Sequence, residues 1–559
     1  MVARQAHNLK VVGSNPTPAT NFFKNNLTVF LLLCSAFFIV NLCLKIFLIG
    51  FHPNTDQIAI IKWVNDSSSN ILNFDIYGNF IYHYLLGLYG NFTYFFMSTI
   101  FIINVPFSLI FKNYNFIHFS VIVLFCYAIF SFITLMIFEE LTKKYNLSKF
   151  KKIIFSIIIL SFLYFSYHSF YFPLSAGHHI FGVLFLYFFI FYNLRKDSLF
   201  LKNENFNFYF LYILTIFSNY TNVFILLTYF FFLEVYQFIH HKKLIINKSK
   251  IIFIILNIFI FFLTLILIYF YNRLKPGEAG YIVSTYGGLS LDQYSNFISN
   301  YFTLFLKLIS IIFDGYGVFL FISIVPFFYL IDKRIKIFFI TLIFLFVFFP
   351  AFLNSYQRTF FYFMPIMLIF SLLTIFRIKS LKKLLLILSF FLIPNFLWGF
   401  YPIIEKNNLK RNIDFDIQAI SLIGDTFGCV DQINNYIDNN FKTIFLENNI
   451  RDLFSVQNKN LNMIKTSTRL SVTRILAQNT DKYFLINDVS KNSVENIRYY
   501  VVRGLNQKGV HKENESEIKN LAATFFEYFE VTNPKIITVH SCQTNNSNYD
   551  EIRLYRFEF

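Results

Sequence analysis

Few residues in this sequence have the chemistry of a site, and each sits beside a long apolar run. Asp56 stands in the stretch 51–90, FHPNTDQIAIIKWVNDSSSNILNFDIYGNFIYHYLLGLYG, which follows the first of those runs. A carboxylate at the mouth of an apolar helix can act as a general base or anchor an acceptor hydroxyl. In Asn54-Thr55-Asp56 it also suits a helix N-cap. His178 and His179 open a later run and could hydrogen-bond a sugar or a phosphate. Neighbours on a helix point about 100° apart, so the two would chelate one ion poorly. Arg273 and Lys275 (NRLKPGEAGY) and Arg358 (NSYQRTFFYFMP) are cations at the edges of apolar runs. They suit phosphate or, in the plainer reading, snorkel from helix ends. His83, in the aromatic segment Tyr82–Leu86, is a further candidate to touch substrate. The motifs of soluble enzymes are missing: no P-loop, GxGxxG, HExxH, GxSxG or zinc-type cysteine cluster occurs.

The elements that must hold these residues are apolar. The chain of 559 residues is 56% hydrophobic, and its mean hydropathy of +0.53 excludes an ordinary soluble protein. Runs of about 20 apolar residues recur, the length that crosses a bilayer core. The 82 phenylalanines reflect codon bias rather than function. Nineteen of the 48 basic residues and 19 of the 31 acidic residues follow residue 400, so the net charge of +17 lies wholly in residues 1–400. Basic residues in loops between apolar runs report topology, not nucleic-acid binding.

Taken in order, residues 1–22 contain Gly13-Ser14-Asn15-Pro16, which a common tRNA arm encodes in frame. They are expected to be a spurious or disordered leader. A first span near 27–48 leads to an outer loop, 51–80, in which Ile58, Ile61 and Val64 form an amphipathic segment and Asp66 to Asn70 a polar turn. Basic clusters at 143–152, 195–196, 240–250, 332–336 and 377–383 mark the inner side. Alternation between them works if 206–240 is a tight hairpin broken around Asn219-Tyr220-Thr221-Asn222. One region resists: 92–111 and 116–138 both look able to span, yet only an odd number of crossings fits, and Pro106 suggests a break. The expected architecture is a polytopic α-helical membrane protein of about 11–13 spans, residues 23–401. A soluble α/β domain, 402–559, follows on the outer face. Its strands are expected at KTIFLEN, KYFLIND, KIITVHS and EIRLYRFEF, and its helices at VDQINNYIDNN and ESEIKNLAATFFEYFE. Cys429 and Cys542 fall in it and make a candidate disulfide, since an outer location permits one.

The layout resembles the GT-C superfamily of polytopic glycosyltransferases, which use polyprenyl-phosphate-linked sugars. Asp56 in NTDQIAIIKWV is similar to the acid of that family's first outer loop, and NFIYHYLLGLYG to the stretch that follows it. YFPLSAGHHIFGVLFLYFFIFYNL resembles the segment opening a later helix, with Ser175 and His178-His179 where the family often has a second acid. FSNYTNVFILL and QRTFFYFMPIMLIF echo two further family stretches, the second carrying Arg358 and Pro365. The resemblance covers roughly residues 25–400. It implies transfer of a sugar from a polyprenyl-phosphate donor to a glycan, lipid or protein acceptor on the extracytoplasmic face of a bacterial inner membrane, with the N-terminus cytoplasmic. Asp56 would be the base, and Arg358 with Arg273 or Lys275 would meet the phosphate. No residue is assigned to a metal, and a divalent cation stays compatible with the resemblance. The rival readings are a transporter or flippase for lipid-linked sugars, and a non-catalytic envelope assembly protein.

Overall fold

A computed structural model describes residues 18–48, 55–73, 96–111, 114, 116–143, 147–165, 177–195, 204–241, 247–274, 301–302, 333–348, 356–375, 432–433, 436, 443–447, 462–466, 499–504, 532, 535–546 and 549–558. Eleven helices stand out among them: α1 (Pro18–Leu48), α2 (Thr55–Leu72), α3 (Ser98–Ile110), α4 (Phe116–Thr142), α5 (Lys149–Phe165), α6 (Gly177–Leu194), α7 (Phe206–Ile216), α8 (Tyr220–His241), α9 (Lys248–Leu274), α10 (Lys333–Phe348) and α11 (Tyr356–Ile375). Of the described residues, His118–Thr142 and Tyr220–His240 form helices long and apolar enough to cross a membrane, with mean hydropathies of 2.7 and 1.6.

Local chemistry sets the starts of several helices. Asn205 caps α7, its side chain accepting from the Phe208 N–H. Asn247 caps α9 by accepting from the Lys250 N–H, and Ser148 stands in the same relation to α5 and the Lys151 N–H. Each cap satisfies a backbone donor that the first turn leaves without a partner. Leu, Ile, Phe and Tyr then fill one core of buried side chains shared by all the helices.

Cross-helix contacts fix how the bundle runs. Tyr127 of α4 packs on Tyr164 of α5, and Glu139 of α4 meets Lys152 of α5, so the two helices are antiparallel. Phe119 and Phe130 of α4 meet Phe181 and Tyr187 of α6 in the same order, so those two are parallel. Tyr209 and Tyr212 of α7 bond Ser249 and Asn257 of α9, again in the same order. The ends of α4, α6 and α8 and the starts of α5, α9 and α10 therefore share one end of the bundle. Every ion pair described in the helical part lies there: Lys143–Glu140, Lys152–Glu139 and Lys250–Glu234. Arg334 at the start of α10 donates to the carbonyls of Asn193 and Leu194, closing the end of α6. Arg195, Lys248, Lys333 and Lys336 complete this basic end.

The opposite end is polar and nearly free of charge among the described side chains. The stretch 206–240 forms the expected hairpin, with the break at Phe217-Ser218-Asn219, just before the expected position. The N–H of Thr99 at the start of α3 bonds the Phe217 carbonyl at 2.9 Å, and Phe96 stacks on Phe217. The end of α3 runs through a tight turn into α4, whose Phe119 is level with Phe181 near the start of α6. Both ends of α3 thus lie at the polar end. Of the segment 92–111, the described helix α3 does not cross the bundle, and 116–138 becomes the long helix α4. Pro106 causes no break: α3 is continuous through it. Its buried face, from Ser98 to Val105, is held by packing on α2 and α6, and Asn104 donates back to the Ile100 carbonyl.

The expected polar turn at Asp66 to Asn70 is also helical, as part of α2. Ser67 and Ser68 are buried, and the Ser68 hydroxyl returns a hydrogen bond to the Val64 carbonyl at 2.7 Å. That bond satisfies the buried hydroxyl without favouring the helix, so burial of this face is what keeps the segment helical. Ile61 and Val64 are buried as their spacing predicts, together with Ile60. α1 begins at Pro18, before the expected start of the first span, and takes in the last residues of the stretch 1–22.

The C-terminal part contains five strands: β1 (Thr443–Glu447), β2 (Asn462–Thr466), β3 (Tyr499–Gly504), β4 (Lys535–Asn546) and β5 (Tyr549–Glu558). They form one mixed sheet, ordered β2-β1-β3-β5-β4, with β1 parallel to β2 and β3, and β5 antiparallel to β3 and β4. Leu554 and Tyr555, successive residues that point to opposite faces, are both fully buried, so β5 is covered on both sides. β1, β4 and β5 match expected strands. β2 and β3 were not anticipated, and KYFLIND, ESEIKNLAATFFEYFE and most of VDQINNYIDNN lie outside the described residues. Cys542 is disulfide-bonded, whereas Cys34, Cys43 and Cys126 of the helices are free thiols. The fifth cysteine, Cys429, lies outside the described residues.

Candidate functional site

At the polar end, three elements meet around one glycine. Gly182 is on the second turn of α6, and a Cβ there would lie 2.5 Å from both the Asn219 Cβ and the Tyr362 hydroxyl. Only hydrogen leaves room for the hairpin tip and α11 to approach α6 this closely. The Asn222 side-chain amide faces the Gly182 carbonyl at 2.9 Å, the Thr215 carbonyl at 3.0 Å and the Ser218 hydroxyl at 2.9 Å. The Ser218 hydroxyl in turn donates to the Thr215 carbonyl. One amide therefore ties both arms of the hairpin to α6.

His179 lies on the first turn of α6 and is 1% exposed. Its Nδ1 is 3.2 Å from the Asn219 Nδ2, and its ring meets Tyr220 edge-on. Asn219 is also the N-cap of α8, its Oδ1 accepting from the Thr221 N–H at 3.0 Å. That second bond settles the amide orientation. Turned over, the Asn219 amide would leave a buried backbone N–H facing an NH₂ group, a loss of about 1–3 kcal/mol. Tyr362 is fully buried, and its hydroxyl, like the Asn222 Oδ1, has no hydrogen-bond partner among the described residues.

A second polar group surrounds α3. Asn65 of α2 donates to the Tyr114 carbonyl and accepts from Ser108. The Tyr114 hydroxyl donates to Asn104 at 2.5 Å, and His118 stacks on the Tyr114 ring. Burial pushes the Tyr114 phenol well above its ordinary range, which keeps it a donor. These bonds attach α2 to the turn that starts α4, at the polar end.

The expected site residues fall as follows. Asp56 is the second residue of α2, one step inside the helix and not its cap. There a carboxylate complements the positive end of the helix dipole. His178 and His179 are the second and third residues of α6. Arg358 is the third residue of α11, one turn before Tyr362. Arg273 is the penultimate residue of α9, some 23 residues beyond Lys250, or about 34 Å along the helix from the basic end. The side chains of Asp56, His178, Arg273 and Arg358 lie outside the described residues, as do Lys275 and His83 entirely. The polar end thus receives the starts of α6 and α11, and α2 reaches it at Asn65. Sequence reasoning missed Asn219 and Tyr362 as members of this group; Asn219 carried a signal in its cap position before Tyr220-Thr221. Among the described residues, no three His, Cys, Asp or Glu side chains gather as a metal site. No protein-family model and no curated protein sequence matches the chain.

Proposed function

We propose that the chain is a polytopic membrane glycosyltransferase that moves a sugar from a polyprenyl-phosphate donor to an acceptor hydroxyl on the extracytoplasmic face. The carrying observation is the meeting of the early turns of α6 and α11 around Gly182, at the end of the bundle opposite the described basic side chains. The membrane part of the reading draws on α9, whose Ile254, Ile255, Ile258, Phe259, Phe261 and Phe262 are all exposed. An apolar surface that wraps a helix wants hydrocarbon around it. The described basic side chains gathered at one end match a cytoplasmic side there; the reading then sets the starts of α6 and α11, and the C-terminal α/β domain, on the extracytoplasmic side.

In this reading Asp56 accepts the proton of the acceptor hydroxyl while its oxygen attacks the anomeric carbon. The bond to the phosphate oxygen breaks on the opposite face, so configuration inverts and polyprenyl phosphate leaves. Arg358, with Arg273 or Lys275, offsets the charge that grows on the leaving phosphate. A transporter for the same lipids would need ionisable groups along a path through the bundle. Glu234, the clearest deep carboxylate in the sequence, is instead paired with Lys250 at the basic end.

The test is transfer from a panel of polyprenyl-phosphate hexoses and pentoses by the full chain in nanodiscs. Asp56→Asn should abolish transfer while the protein inserts normally, and an unchanged rate would remove Asp56 from the chemistry. Arg358→Ala should weaken donor binding more than it slows turnover.

A further inference from the structure

We infer that the basic end of the seam between α8 and α10 binds an anionic phospholipid of the surrounding leaflet, with Lys333 and Lys336 on its phosphodiester headgroup and Ile340 and Ile343 against its acyl chains. The inference rests on the membrane reading of the bundle and not on sugar transfer. Lys333, Lys336, Ile340 and Ile343 follow one another at intervals of three and four residues, which sets them on one side of α10. Lys333, Ile340 and Ile343 are exposed and Lys336 is half-buried, whereas Ile335, Phe338 and Leu342 on the opposite side are buried. The one open face of α10 therefore changes along its length from cationic to apolar. Ile343 is ten residues beyond Lys333, about 15 Å along the axis. That depth runs from a headgroup into the hydrocarbon.

Charge decides the occupant. At this end Glu139, Glu140 and Glu234 are already bonded to Lys152, Lys143 and Lys250. Among the described residues no carboxylate pairs with Lys333 or Lys336. Arg334, between them, is committed to the carbonyls of Asn193 and Leu194. Lys333 does not simply snorkel into water. Its Nζ lies 5.2 Å from the centroid of the Tyr236 ring at the end of α8. His240 stacks on the same ring at 4.1 Å between centroids, and its Nε2 is 2.9 Å from the Tyr236 hydroxyl. A ring face attracts a cation without neutralising it, so the ammonium is held at the seam with its charge unspent. Two lysines one turn apart can share one phosphodiester, and basic pockets between membrane helices are where anionic headgroups bind. A zwitterionic lipid brings the same phosphate with a cation of its own, which the lysines repel. The apolar half of the face selects a lipid over a free phosphate.

The experiment is native mass spectrometry of the full chain in detergent, titrated with phosphatidylglycerol, phosphatidylcholine or water-soluble glycerophosphoglycerol. Phosphatidylglycerol should bind more tightly than the other two. Lys333→Gln and Lys336→Gln should each weaken its binding about five-fold. Tyr236→Leu should act like Lys333→Gln, and Tyr236→Phe, which keeps the ring, should not. Lys248→Gln is the control: it removes the same charge at the same end, but from α9, which meets α8 through Glu234 on a different side from Tyr236. It should change little. Equal binding of the two lipids would overturn the inference. So would a loss in Lys248→Gln as large as in Lys333→Gln, or glycerophosphoglycerol binding as tightly as the lipid. A chain that transfers no sugar yet holds phosphatidylglycerol through Lys333 upholds the inference and loses only the enzyme reading.

Discussion

Gly182 shows how one hydrogen atom sets the geometry of the polar end. A glycine inside a helix ordinarily costs about 1 kcal/mol relative to alanine. Here the sign reverses, because the added methyl would meet Asn219 and Tyr362 at 2.5 Å. Gly182→Ala should therefore destabilise the protein by about 1–3 kcal/mol. A thermal unfolding curve in nanodiscs checks this, and an unchanged or raised midpoint would mean that α6, α8 and α11 do not meet so closely. Little of this was legible in the sequence. His179 could be picked out as a polar residue at the mouth of an apolar run. Gly182 looked like any small residue in such a run, because its meaning depends on Asn219, 37 positions later, and Tyr362, 180 later.

At the scale of elements, α4 and α5 are clamped at the basic end by Glu139 and Lys152. Their ion pair is 2.6 Å long, and the two side chains are 6% and 7% exposed. One carboxylate oxygen of Glu139 has no partner among the described residues. Burying two charges costs nearly what their attraction returns, so breaking the pair should hurt more than replacing it. Lys152→Met alone should cost about 3–5 kcal/mol. The double variant Glu139→Met/Lys152→Met should recover most of that loss in the same unfolding assay. Equal damage from the single and double variants would show that the two charges do not depend on each other. The long helices were readable because an apolar run of that length has few alternatives. The errors came where placement, not propensity, decides. Ser67 and Ser68 of α2 stay helical because their face is buried, with the Ser68 hydroxyl satisfied by the Val64 carbonyl. Nothing in residues 92–111 says that both ends of α3 attach to the same end of the bundle.

For the molecule as a whole, the uneven charge of the sequence becomes a polarity of shape. Basic residues separated by up to about 190 positions collect at one end, and the polar hairpin tip sits at the other. A membrane-impermeant thiol reagent applied to intact spheroplasts tests the orientation. A cysteine placed at exposed Lys143 should react only after the membrane is opened, whereas one placed at exposed Ser69 in α2 should react at once. The reverse pattern would turn the protein over and move the proposed chemistry to the cytoplasm. The sheet was partly foreseeable: β4 and β5 alternate clearly, and the Asn-rich link between them marks a hairpin. β2 and β3 were not, because NMIKT and YYVVRG are short and gain their strand character from β1 and β5 beside them.

The distribution of sulfur has a practical corollary. Cys34 and Cys126 are buried, Cys542 is already oxidised, and Cys43 is an exposed thiol on α1, two residues after Asn41. Asn41 donates to the Tyr164 carbonyl at the end of α5. A maleimide fluorophore coupled to Cys43 in the unmodified chain would therefore sit beside the end of α5, at the polar end of the bundle. Its emission would follow lipid substrate arriving, in real time and without an engineered attachment point.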